Sequence, residues 1–157
     1  ARRAKHLTTT AKVPHRWDYL HDEIGYNYRL PNLNAALGCA QLEQLPVFLE
    51  AKRRIFERYK TAFAEVPQAR IVAEPEGCRS NYWLQTLLLD ESAAGQRDAI
   101  LAATNDAGLM TRPTWTLMHR LAPYRACPKM ELPVSESLEQ RLINLPSSPH
   151  LGMQGAR

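Results

Sequence analysis

The stretch that most constrains this chain runs over residues 32–66. Leu33, Leu37, Ala40 and Gln44 or Leu45 recur near one face at a period of 3.6. Phe48, Ala51, Ile55, Tyr59, Ala62 or Phe63, and Val66 carry the pattern on. Pro31 and Asn32 open it, since proline is pre-set for a helix's first turn and asparagine is among the best N-caps. Pro67 closes it. Pro46 lies inside, where a proline removes one helical hydrogen bond and crowds the turn before it. Two consecutive helices, or one long bent helix, are therefore expected over 32–66. The first half is dense in small side chains, Ala35, Ala36, Gly38, Cys39 and Ala40, so another helix or a cofactor can approach its backbone closely.

The region after Pro67 is mixed. Residues 70–73 are a short strand candidate and 74–77 a turn. Residues 81–89 hold Tyr82, Trp83, Leu84, Leu87, Leu88 and Leu89, a buried strand by composition. Residues 93–107 read as a helix with Ile100, Leu101, Ala103 and Thr104 facing inward, stopped by Gly108. Residues 109–112 read as another strand, closed by Pro113. Ser137 and Gln140 make a capping box for a helix over 138–144. Pro146, Pro149 and Gly152 mark an irregular tail. Strand, strand, helix, strand describes a small antiparallel sheet with helices on one face, an α+β class.

Composition narrows the function classes. A chain of 157 residues, 45% hydrophobic, is large enough for a real core. It lacks an initiating Met, and its first seven residues read like the middle of a helix, so a piece of a longer protein is expected. No apolar run approaches membrane-spanning length, and no signal-peptide pattern appears. Cys39, Cys78 and Cys127 are dispersed and odd in number, which fits a reducing cytoplasm better than a disulfide framework. His6, His15, His21, His119 and His150 are too scattered to suggest a metal site. The net charge of +4 raises the question of nucleic acid. Lys52, Arg53, Arg54, Arg58 and Lys60 do cluster, but Glu50 and Glu57 interleave with them. That pattern reads as a paired, solvated helix face, and no nucleic-acid motif accompanies it.

Before the helical stretch, Thr8, Thr9 and Thr10 break any preceding helix, and Trp17 and Tyr19 give an aromatic entry. Gly25 to Arg29 is then a turn-prone loop carrying an amide, two phenols and a guanidinium, and such a donor-rich loop suits an anion. On residues alone, Asn27 reads equally as a turn residue bonding its own backbone. The ordered run Gly25-Tyr26-Asn27-Tyr28-Arg29-Leu30-Pro31-Asn32-Leu33-Asn34-Ala35-Ala36, followed by Gln41-Leu42, closely resembles a motif of the DegT/DnrJ/EryC1/StrS sugar aminotransferases. Those enzymes use pyridoxal 5'-phosphate to aminate keto-sugars on nucleotide carriers. The resemblance implies the small C-terminal domain of a fold-type-I transferase, plus the segment that crosses to a partner subunit. Residues 1–31 would end the large-domain segment and carry the cofactor loop, 32–66 would connect, and 67–157 would form the small domain. It also implies that Asn27 donates its amide to the cofactor phosphate of the neighbouring subunit, with Arg29 adding charge. Transamination needs a lysine that bonds the cofactor. By resemblance that lysine lies upstream of Ala1, so this chain supplies no catalytic residue and Lys12 is an exposed loop residue.

A second constellation is Arg112-Pro113-Thr114-Trp115 with His119 and Pro123-Tyr124. A loop after a strand end projects readily toward a cleft. Arginine suits a diphosphate, an aromatic ring stacks on a base or sugar, and histidine bonds a hydroxyl. It resembles the family's substrate loop, so Arg112, Trp115 and His119 are candidate substrate-binding residues; a surface loop whose Trp115 caps the core is the alternative. The resemblance implies a cytoplasmic homodimer that moves an amino group from glutamate to C4 of a nucleotide-linked 4-keto-6-deoxy sugar. Perosamine-synthetase-like and legionaminic-acid-pathway members look closest, and their products enter surface polysaccharides. A non-catalytic regulatory or interaction module is the competing expectation.

Overall fold

In the computed structural model, which describes residues 1–16 and 18–153, the chain divides into two compact units, Ala1–Leu45 and Pro46–Arg157. In the first, helix α1 (Arg2–Thr8) ends at the threonines, as expected. The Thr8 and Thr9 hydroxyls donate back to the carbonyls of Ala4 (2.8 Å) and Lys5 (2.7 Å), one turn earlier, as threonines do at a helix end. Thr10 (φ 72°) and Ala11 (φ 49°) then adopt left-handed backbone and reverse the chain. Strands β1 (Lys12–Val13) and β2 (Leu20–His21) pair antiparallel, Lys12 opposite His21. Lys12 is thus a strand residue rather than a loop residue, with its Nζ 3.9 Å from the centre of the Tyr19 ring. The ammonium finds an aromatic face instead of open water. Trp17, expected beside Tyr19, lies outside the described residues.

Helix α2 (Asn32–Ala62) is continuous through Pro46, which settles the choice between one helix and two. The carbonyl of Pro31 accepts from the Ala35 amide at 3.0 Å, so Pro31 takes the capping position and Asn32 is the first helical residue. Proline inside a helix costs about 3 kcal/mol. Burial of the following turns offsets it: Ala51, Ile55 and Phe56 are buried, and Tyr59 and Phe63 are partly buried. The expected face therefore holds from Ala51 to Phe63, with Phe56 on it as well, but the helix ends at Ala62 rather than at Val66, which is exposed. Among the described residues no helix is long and apolar enough to cross a membrane.

The second unit is built on an antiparallel sheet of β3 (Ala69–Ile71), β4 (Gln85–Leu89), β5 (Arg112–Pro113) and β6 (Leu142–Leu145), in the order β3-β4-β6-β5. Residues two apart share a face of a strand. Ala69, Ile71, Leu87, Leu89 and Ile143 accordingly meet Phe56 of α2 and Ala93 in one core, with Ile100 and Leu101 of α3 (Arg97–Asp106) against it. Phe56 and Tyr82 stack at 4.4 Å. This is the expected α+β arrangement, a small antiparallel sheet with helices on one face. Pro113 is accommodated because β5 is an edge strand, where a missing amide breaks no ladder.

Four local expectations are corrected. Residues 81–84 are not strand: the Ser80 Oγ and Asn81 Oδ1 accept from the amides of Tyr82 and Trp83, both at 3.0 Å, and Tyr82 sits at φ 47°. Side chains that bond their own backbone hold a loop against the sheet. Ala103 is exposed rather than inward, since the turn of α3 directs Ile100, Leu101 and Thr104 to the core side. The helix expected over 138–144 is instead helix α4 (Pro133–Glu139) followed by β6. Pro133 opens the helix, and the run Leu-Ile-Asn-Leu pairs as a central strand with Ile143 fully buried. A short apolar run cannot be assigned to helix or strand by period alone. Finally, the tail is not irregular: Pro149 opens helix α5 (Pro149–Met153).

Candidate functional site

Gly25 to Arg29 is laid down on the end of α1. The amides of Tyr26 and Tyr28 donate to Leu7 O (2.7 Å) and Thr8 O (2.9 Å), and Thr9 and Asn27 form a β-bridge. Gly25 is required by closeness: a Cβ there would lie 2.4 Å from the Ala11 nitrogen and 2.5 Å from the Thr10 carbonyl carbon. Arg29 folds back over the loop. Its Nη2 donates to Thr9 O at 3.0 Å, and its Nη1 and backbone amide reach Asn27 Oδ1 at 3.2 and 3.4 Å. Both groups facing that atom are donors, so it must be the carboxamide oxygen. The Asn27 –NH₂ is consequently turned away from Arg29 and makes no hydrogen bond among the described residues. The loop thus presents an oriented amide donor beside a fixed guanidinium. That donor set fits the phosphate of a cofactor such as pyridoxal phosphate.

The second candidate lies in the unit Pro46–Arg157. Trp83, Arg112, Pro113, Trp115, Asn144 and Ser147 line a groove of about 350 Å³. The edge pairing of β5 on β6 puts Arg112 opposite Asn144, whose Nδ2 donates to Pro113 O at 3.5 Å and whose Oδ1 accepts from Thr86 at 3.2 Å. The Arg112 side chain makes no ion pair or hydrogen bond among the described residues, so its charge is available to the groove. Trp115 does not cap the core. It is 68% exposed and stacks on Trp83, with ring centres 6.3 Å apart and planes 15° from parallel.

The structure joins Arg112 and Trp115 but not His119. That residue lines a different cavity, of about 490 Å³, with Tyr124, Cys127 and Met130. Its Nε2 is 3.1 Å from Glu136 of α4. Arg120 pairs with Glu139, which also accepts from the Leu117 amide at 3.1 Å. Sequence reasoning missed Trp83 and Asn144, because one was expected inside a strand and the other inside a helix. Ser80 and Asn81, typical turn residues, were the available signal for Trp83. Folding also gathers a cluster that spacing does not reveal: His6, Asp22 and Glu23 hold potential ligand atoms within 4.8 Å of one another. Its carboxylates already have partners, since Arg3 pairs with Glu23 at 2.9 Å and His6 Nε2 lies 2.6 Å from Asp22. The hydrogen bond from His6 holds the Asp22 carboxyl below the usual carboxylate range.

Known proteins resemble this chain in sequence and in fold. The chain is 37% identical over 134 residues to the GDP-perosamine synthase of Vibrio cholerae, covering 85% of this chain and 36% of that protein. It is 38% identical over 117 residues to EpsN of Bacillus subtilis, described as a putative pyridoxal phosphate-dependent aminotransferase, covering 74% of this chain and 29% of that one. The chain therefore spans about a third of the length of these relatives. In fold it is similar to Helicobacter pylori PseC, an aminotransferase involved in the biosynthesis of pseudoaminic acid, with a TM-score of 0.84 at 18% identity over 96% of this chain and 41% of that one. Residues 1–156 match the family's sequence pattern, and the chain belongs to the DegT/DnrJ/EryC1/StrS aminotransferase family.

Proposed function

We propose that this chain is the C-terminal part of an enzyme that moves an amino group from glutamate to C4 of a nucleotide-linked 4-keto-6-deoxy sugar. Family membership and the likeness to GDP-perosamine synthases support this reading. The observation that carries it is the Asn27 amide, oriented by Arg29 and left with both N–H groups to donate. When bound, pyridoxal phosphate supplies the electron sink for amino transfer. In this proposal Asn27 donates to its phosphate and Arg29 offsets the charge. The two serve the site of the neighbouring subunit in a cytoplasmic homodimer. Residues 1–31 end the large-domain segment, 32–66 connect, and 67–157 are the small domain. Arg112 holds a diphosphate and Trp115 stacks on the nucleotide sugar. His119, paired with Glu136, bonds a sugar hydroxyl or steadies the loop that carries it.

Two measurements on the full-length protein test the proposal. Incubated with pyridoxal phosphate, glutamate and GDP-, UDP- or dTDP-linked 4-keto-6-deoxy sugars, it is expected to aminate one of them, read by mass spectrometry. A cofactor-loaded protein that aminates none overturns the substrate assignment. Losing one charge-assisted hydrogen bond costs roughly 1.5–3 kcal/mol, so Asn27→Ala is expected to weaken cofactor retention by about ten- to a hundredfold. Retention equal to that of the unchanged protein removes Asn27 from the phosphate site.

A further inference from the structure

Trp83 is built in an unusual way. Its backbone is fastened at both ends: its amide donates to Asn81 Oδ1 (3.0 Å), and its carbonyl accepts from Lys52 Nζ (2.8 Å) and from Ser147 Oγ (2.9 Å). Lys52 also donates to Ser147 O at 2.7 Å, so one ammonium ties α2 to the two chain segments that flank the groove. The neighbouring Tyr82 takes a left-handed backbone conformation, uncommon for an aromatic residue. That turn sends Tyr82 into the core, stacked on Phe56, and sends Trp83 outward. The indole so presented is 65% exposed and parallel to Trp115, itself 68% exposed. Two large rings held flat and outward contribute little to the core; they form a wall. The groove they line also holds the guanidinium of Arg112, which has no partner among the described residues.

We infer that Trp83 joins Trp115 as a two-indole stacking surface for the nucleobase of a nucleoside diphosphate, with Arg112 on its phosphates, and that Lys52 is the positioning residue that fixes Trp83. The inference rests on the nucleotide-sugar proposal and adds to it two residues and a division of labour. Every nucleobase offers a flat π-face, and stacking on an aromatic side chain tolerates any of them. A charged planar guanidinium next to that surface matches the diphosphate attached to the nucleoside. Lys52 would act only through Trp83 and Ser147, since both bonds from its Nζ end on their carbonyls.

The test is calorimetric titration of the full-length protein with GDP, UDP and dTDP, and with inorganic pyrophosphate. Trp83→Ala is expected to weaken the tightest-bound nucleoside diphosphate about tenfold and to leave pyrophosphate unchanged, the size expected for losing one stacking partner. Trp83→Phe should recover most of that loss. Parallel stacked indoles couple in the far-ultraviolet circular dichroism spectrum. Lys52→Met should diminish that couplet and weaken nucleotide binding, while Lys52→Arg, which keeps two donors, restores both. If Trp83→Ala binds nucleotide like the unchanged protein while Arg112→Ala or Trp115→Ala does not, this inference falls and the groove remains the nucleotide site. A full couplet in Lys52→Met removes Lys52 alone. If all three groove variants bind nucleotide normally, or none of the diphosphates binds at all, the nucleotide reading of the groove falls, and the inference with it.

Discussion

Arg53 and Glu74 meet in a two-pronged ion pair, at 2.9 and 3.1 Å, and Arg53 Nη2 also donates to Ser80 O at 3.0 Å. The Arg53 hydrogen bonds, followed by one from the Ser80 amide, hold the Glu74 carboxyl down at about 2, below its ordinary 4.5. A carboxyl depressed on folding contributes stability that is complete above its unfolded value and is lost as the proton binds in the folded state. The contribution of Glu74 is therefore expected to be present above pH 4.5 and to disappear as pH falls from 4.5 toward 2. Glu74→Gln should lower the urea midpoint at pH 7 and flatten its dependence over that window. An unchanged acid limb in the variant would show that another carboxylate governs it. Only part of this chemistry is legible in the sequence. Glu50 and Arg54, four apart on one helix, do pair at 3.0 Å. Lys52, Arg53, Arg54 and Arg58 do not make a merely solvated face, because each reaches a carbonyl far along the chain, at Trp83, Ser80, Gly152 and Leu151. Helical spacing reveals partners on the same helix and nothing about partners brought in by the fold.

At the scale of elements, the same limit decides which stretches are readable. Helix α2 is, because its period extends over many turns, and even Pro46 does not interrupt it. Helix α4 and strand β6 are not, since the short run Leu142-Ile143-Asn144-Leu145 fits either structure until Ile143 is seen pairing with Leu87. Helix α5 is hidden by Pro146, Pro149 and Gly152, which read as breakers. Two of the three belong to the helix: Pro149 opens it, and Gly152 is its contact with α2. A Cβ at Gly152 would lie 2.2 Å from the Ala51 carbonyl oxygen, a backbone atom that cannot swing away. Arg54 and Arg58 clamp the same turn through Gly152 O (3.0 Å) and Leu151 O (3.1 Å). Gly152→Ala is therefore expected to destabilise the protein by about 1–3 kcal/mol, the range for overpacking a closed contact. Gly95→Ala, with nothing within 4 Å of the added Cβ, should stay within about 0.5 kcal/mol. Equal urea midpoints for the two variants would mean that α5 does not depend on this contact.

At the scale of the whole molecule, the unit Ala1–Leu45 leaves much apolar surface uncovered. Ile24, Tyr28, Leu33 and Leu37 are among its exposed residues, and Leu33 and Leu37 lie on the face that periodicity marks for burial. The sequence pattern describes what a face is made of, not which molecule covers it. In the proposed homodimer, α2 from residue 32 to 45 packs closely on the partner through its small residues. Gly38 isolates that idea from the stability of the chain itself, because a Cβ at Gly38 meets nothing within 4 Å among the described residues. The first side-chain atom of Gly38→Phe thus meets nothing in its own chain, and the change also replaces a poor helix former with a better one. Against a second helix the outcome is opposite, since helices pack at about 8–10 Å only as their contact side chains permit. Sedimentation of the full-length variant is expected to show a shift from dimer to monomer at concentrations where the unchanged protein is dimeric, with helical circular dichroism retained. A dimer of undiminished affinity would place the interface elsewhere.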